Sequence, residues 1–174
     1  EYWNGEYWFV TPKDLSSLES PFLLKTERKI TLQGVEQISS GILPIGTLLL
    51  SSRAPIGYLA ISCIPVSINQ GFIAINSKET SNFFMLLWLR NNMDMVVSRA
   101  NGSTFLEISK SNFRDIDILI PDKSVINLFE RQVNPLFDQI SLNETQKISL
   151  GLIRDSLLPR LLGATLGHED SSDI

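Results

Sequence analysis

The chain has 174 residues, a length that holds one domain or one domain with an extension. Its 43% hydrophobic and 20% charged residues are those of an ordinary globular chain, and 15 Lys+Arg against 19 Asp+Glu leave a net charge of -4. That balance excludes a polybasic binder acting through bulk charge, but not a local basic face.

From the N-terminus, EYWNGEYWFV is aromatic, with a turn expected at Asn4-Gly5 and a strand at Tyr7–Val10 that Thr11-Pro12 ends. Ser16 and Glu19 have capping-box spacing, which predicts a helical turn over 14–19. Residues 30–40 carry Ile30, Leu32, Val35 and Ile38, a pattern that fits a strand or a short helix. Thr47–Leu50, Gly57–Ile61, Val66–Ile68 and Gly71–Ile75 are short apolar runs separated by turns, and they predict buried strands. Ser51 to Pro55 is expected to interrupt the first two.

Residues 82–98 switch to helical spacing, with Asn82 as N-cap and Gly102 as stop. Thr104 and Glu107 repeat the capping-box spacing, and Ile116–Ile120 reads as a strand ended by Pro121. Residues 122–163 then place Ile126, Phe129, Val133, Phe137, Ile140, Ile148 and Leu152 on one stripe of a long helix, in which Pro135 and Gly151 are interruptions. At 1.5 Å per residue such a helix spans roughly 60 Å, too long to bury its stripe on a domain of this size. A partner helix is therefore expected. The expected organisation is a mixed α/β domain at 1–121, the long helix at 122–163 and a frayed polar tail at 164–174.

The inventory of chemical groups is sparse. One cysteine, Cys63, and one histidine, His168, exclude an internal disulfide, a His/Cys zinc site and a histidine-based catalytic pair. Cys63 reads as a small buried hydrophobe and His168 as a tail residue. Trp88, Met85, Met93 and Met95 read as packing, while Trp3 and Trp8 suit either a core or a base stack. No P-loop or GxGxxG motif occurs. Asp115 and Asp117, two apart, with Lys110 nearby, would suit a metal-dependent nuclease; a solvated strand end is the other reading. The absence of a long apolar run or a signal peptide leads us to expect no membrane association and a cytoplasmic, reducing setting.

Side chains able to read base edges gather instead at the predicted turns. They are Thr11 and Lys13; Ser52 and Arg53; Asn69 and Gln70, beside Ser67; Arg99 and Ser103, with Asn101 and Thr104; and Lys110, with Ser111 and Asn112. Each alone also suits a turn or cap. Ten basic and eleven acidic residues in 1–121, against five and eight beyond, make the first part nearly neutral.

Five phrases in register carry a family resemblance: EYWNG…FVTPKDL at 1–15, LLLSSRAPIGYLAI at 48–61, SINQGFIAI at 67–75, NGSTFLEISKSNFRDIDILIPD at 101–122 and RDSLLPRLLGA at 154–164. Together they resemble the specificity subunit of type I restriction-modification systems. The resemblance implies a target recognition domain with a curved sheet, which reads one half of a split sequence in double-stranded DNA. It also implies a long helix that pairs with that of a second recognition domain and docks the methyltransferase subunits, and through them the restriction subunit. Catalysis would belong to those partners, which use S-adenosylmethionine, ATP and magnesium; the subunit itself would hold no cofactor. A full subunit has two domains and two helices, and an opening segment precedes EYWNG, so this sequence is expected to be a C-terminal half, a truncated half subunit or an engineered fragment; a half subunit would restore the whole by homodimerising through 122–163. The start at Glu1 rather than Met likewise suggests missing residues.

Overall fold

The computed structural model describes residues 1–102 and 105–165, with side chains as far as Leu162. Ser103, Thr104 and most of the expected tail, including His168, lie outside the described residues. The chain divides into two units, Glu1–Phe137 and the part from Asp138 onward.

The first unit opens with β1 (Trp3–Val10), α1 (Pro12–Ser16), β2 (Phe22–Leu23), β3 (Arg28–Ile30) and α2 (Leu32–Glu36). Strands β4 (Leu48–Ser52), β5 (Ile56–Ser62), β6 (Val66–Ile68) and β7 (Phe72–Ile75) follow. The helices are α3 (Asn82–Asn91), α4 (Met93–Ser98), α5 (Lys110–Arg114) and α6 (Lys123–Thr165), whose later part belongs to the second unit. Two sheets form, in the orders β3-β1-β6 and β2-β5-β4-β7.

The run Leu48-Leu49-Leu50 explains how the unit is layered. Successive side chains on a strand point to opposite faces, so a continuous apolar run needs cover on both. Leu48 and Leu50 join Phe22, Ile61, Leu86 and Leu89 in one core, while Leu49 joins Val10, Leu23, Val66 and Phe72 in another. The four-stranded sheet therefore carries helices on one face and the β1/β6 sheet on the other. The start of α6 closes the first core. Ile126 and Phe137 are buried, Val133 packs against the same core, and Phe129 meets Phe84 edge-on at 5.7 Å.

Several expected elements differ. Asn4-Gly5 lies inside β1, at a slip where Trp3 and Tyr7 both face Ile30. The first helix spans 12–16 because Thr11 and Asp14, not Ser16 and Glu19, form the capping box. The ambiguous 30–40 stretch is divided by Thr31, which ends a strand and caps α2 through Gly34 N–H. Ser51 and Ser52 continue β4 rather than interrupt it. The helix expected over 82–98 is broken at Asn92, whose side-chain amide donates to the Trp88 carbonyl at 2.8 Å, and Ser81 rather than Asn82 caps it. Residues 116–120 form no strand: Ile116 is buried but Leu119 is 90% exposed, and the segment pairs with neither sheet. The helix α6 runs through Pro135 and Gly151 from a start at which the Asp122 carbonyl accepts from Val125 and Ile126.

Candidate nucleic-acid interface

Strand register decides where the polar turns go. β1 and β6 run parallel with Val10 opposite Ile68, so Thr11 and Asn69 leave their sheet at the same end. β4 and β7 run antiparallel with Ser51 opposite Phe72, which sets Ser52 and Arg53 beside the 69–71 turn. The Ser52 N–H donates to the Gly71 carbonyl at 2.8 Å, and the Ser52 carbonyl accepts from Ile108 N–H at 3.0 Å. Asn101 and Glu107 exchange two backbone hydrogen bonds of 2.9 Å each. The Asn112 side-chain amide donates to the Arg99 carbonyl at 3.0 Å. Stretches far apart in the chain, 52–53, 69–71 and 99–102 with 105–112, are thus knitted into one rim.

Arg53 is the centre of that rim. Its side chain is 38% exposed and lies 3.7 Å from the Glu107 carboxylate. It also passes close to Gly71, where an added Cβ would stand 3.3 Å from the guanidinium Nε and 3.0 Å from the Asn69 side-chain oxygen. That oxygen already accepts from Gly71 N–H at 2.8 Å, which locks the turn. Gln70 is exposed beside it. On the other side of the rim, Gly102 adopts φ +111, and a Cβ there would collide with the Phe105 carbonyl, so only glycine makes that turn without strain.

The Thr11–Lys13 turn is held separately. Asp14 accepts from Thr11 N–H at 2.8 Å, from the Thr11 hydroxyl at 2.6 Å and from Glu27 N–H at 2.7 Å. Lys13 pairs with Glu27 at 2.8 Å, both largely exposed. Replacing Asp14 with Ala is expected to destabilise the first unit by about 2 kcal/mol, because it removes a cap and leaves three partly buried donors unmet. Chemical denaturation measures this, and a loss near zero would mean that these bonds do not hold the turn.

Of the residues expected to read DNA, the structure draws Arg53, Asn69, Gln70 and Arg99 to the rim, and Lys110 joins it as the first residue of α5, which Ser109 caps. Thr11 and Lys13 stand at the β1/β6 end, Lys13 turned to Glu27. Ser103 lies outside the described residues. Ser52 is 2% exposed and Ser67 fully buried, so neither hydroxyl reaches a surface; both belong to strands with cover on each face. Arg28 and Lys29, two of the cations that a local basic face would draw on, each lie over a tryptophan: Arg28 over Trp3 at 5.5 Å and Lys29 over Trp8 at 3.9 Å. What residue type alone did not mark is this pairing of two cations with two tryptophans, a contact favoured by the ring quadrupole.

The helix residues divide similarly. Ile126, Phe129, Val133 and Phe137 are engaged within the first unit. In the second unit Ile140, Ile148 and Leu152 remain exposed, as do Leu150, Leu157 and Leu161. Lys110 and Asp115 stand at opposite ends of α5, and among the described residues no group of three or more His, Cys, Asp or Glu converges as metal ligands.

Residues 1–149 match the family model described as the type I restriction modification DNA specificity domain. The chain is 40% identical over 124 residues to the type I restriction enzyme MjaIX specificity subunit of Methanocaldococcus jannaschii, covering 70% of this chain and 29% of that protein. It is 24% identical over 170 residues to the HindI specificity subunit of Haemophilus influenzae, covering 95% of this chain and 37% of that protein. The putative MjaX specificity subunit of M. jannaschii is 23% identical over 117 residues, 66% of this chain and 28% of that protein. The chain thus spans about a third of the length of the relatives it matches.

Proposed function

The chain belongs to the type I restriction modification DNA specificity family, and from that premise we propose that its first unit is a target recognition module reading double-stranded DNA through the Arg53 rim. The observation that carries this reading is the knitting of 52–53, 69–71 and 99–102 with 105–112 into one surface rich in Arg, Asn and Gln. These side chains present the donors and acceptors that base edges complement. Thr11, Lys13, Arg99, Lys110, Arg28 and Lys29 then supply phosphate or sugar contacts that set orientation.

The chain in this reading carries no reaction of its own. It directs methyltransferase subunits, and through them the restriction subunit, to one half of a split target in the cytoplasm. No helix among the described residues is long and apolar enough to cross a membrane. No observation favours the nuclease reading on Asp115, Asp117 and Lys110. The test is a selection of bound duplexes from a random pool, using the complex with the methyltransferase subunit. One short recurring half-site is expected; a pool that stays random refutes recognition.

The second unit in this reading pairs with another helix, from a second recognition domain or a second copy. Ile148 and Leu152 are one helical turn apart and exposed, whereas soluble surfaces scatter such side chains singly. The double replacement Ile148→Asp with Leu152→Asp is expected to convert the assembled species to single chains in sedimentation. An unchanged mass would place the pairing face elsewhere.

A further inference from the structure

An acid on a rim that faces DNA calls for an explanation. Phosphates repel it, and burying its charge without a donor is costly. Glu107 occupies such a place: its side chain is 47% exposed and 3.7 Å from the Arg53 guanidinium. Its backbone is held by both hydrogen bonds to Asn101, and Arg53 and Glu107 also form a backbone bridge. The carboxylate is therefore presented from a fixed support next to the leading base reader.

We propose that Glu107 is a specificity-determining residue which, together with Arg53, reads a single G·C pair. Arg53 donates to guanine O6 and N7 while Glu107 accepts from the N4 amino group of the paired cytosine. The proposal rests on the DNA-recognition reading given above. In the major groove a G·C pair shows two acceptors and then a donor. Arg53 offers donors only and Glu107 acceptors only, in the complementary order. Guanine O6 and cytosine N4 are adjacent on the major-groove edge of one pair, and the two protein groups, 3.7 Å apart, are near enough to address both.

The carboxylate works chiefly by exclusion. An A·T pair presents the thymine O4 acceptor where cytosine offers its amino group, so two acceptors would oppose each other. A reversed C·G pair turns the amino group toward Arg53 and O6 toward Glu107, mismatching both. Discrimination built on such repulsion survives in a nearly neutral domain, where contact energy alone is modest. In the free chain Arg53 and Glu107 partly satisfy each other, which lowers the attraction of Arg53 for phosphates at random sites.

The test compares wild type with Glu107→Gln and Glu107→Ala, each in the full chain assembled with the methyltransferase subunit. Both variants keep the backbone hydrogen bonds to Asn101. Affinity for random duplex is expected to rise about threefold, and the ratio of selected to random binding to fall about tenfold. Placing N4-methylcytosine at the contacted pair should weaken wild type about tenfold and leave Glu107→Ala nearly unaffected. Equal weakening of the variants on every duplex would reduce Glu107 to a prop for the loop and overturn the proposal. So would wild-type binding that ignores N4-methylation at every cytosine of the selected site. A wild-type complex that selects no sequence would instead defeat the recognition reading itself, and this assignment with it.

Discussion

Replacing Phe137 with Ala is expected to cost the first unit about 3–5 kcal/mol, the range for deleting a buried aromatic ring. Phe137 is 7% exposed and stacks on Phe83 with ring centres 4.5 Å apart and planes within 2°. Phe22 meets both rings edge-on, at 6.2 Å and 6.3 Å. Removing the ring takes away one of three mutually touching rings and leaves a cavity between the start of α6 and the helix-bearing face of the sheet. Those flanking elements are fixed by their own hydrogen bonds, so collapse into the space is limited. Urea unfolding followed by tryptophan fluorescence gives the measurement. Ile140→Ala, three residues on in the second unit at an exposed position, is the control and should change stability little. If both variants unfold alike, the start of α6 does not anchor in the first unit.

Replacing Arg53 with Ala is expected to weaken binding to the selected half-site roughly 5- to 150-fold, the equivalent of about 1–3 kcal/mol, and to relax one position of the site. Three features single this arginine out. The buried strand β4 carries it to the rim, Gly71 leaves its guanidinium room, and Glu107 restrains its direction. A planar donor fork held this way suits the bidentate edge of guanine. Lys13→Ala is the contrast: a flexible point charge, paired with Glu27, should weaken all duplexes alike and reduce the salt slope by about one. Competition titrations against single-base variants of the site separate the two cases. An Arg53→Ala protein that keeps both its affinity and its preference would remove Arg53 from the interface.

Much of this architecture is local and therefore readable in the chain. β6 at Val66–Ile68 follows directly from a short apolar run between turns, and α6 from apolar residues repeating at three and four. The missing strand at 116–120 shows the limit of such patterns. Alternating apolar residues suit a strand equally well when they line an extended segment whose backbone finds no ladder partner. The break at Asn92 has the same origin, since a single side-chain amide competing for the Trp88 carbonyl divides an otherwise even helical pattern.

The candidate interface divides along the same line. Residue type and turn position were enough to mark Arg53, Asn69, Gln70 and Arg99 as candidates, because polar side chains gather in the turns where strands and helices end. Ser52 looked identical by those criteria, yet β4 extends one residue beyond Ser51 and buries it. Likewise the Phe129 side of the helical stripe is taken up by the chain's own core, while the Ile148 side stays open. Glu107 bore no mark of a reader at all.

Composition and periodicity by themselves established a mixed α/β chain with a long amphipathic helix and polar turns, because these properties depend on neighbours within a few residues. Which turns share a rim, which hydroxyls are buried and which acid confronts Arg53 were decided only in three dimensions. Those outcomes depend on hydrogen-bond register between segments such as 52, 71 and 108, and register is set by packing on both faces of a sheet rather than by any local pattern.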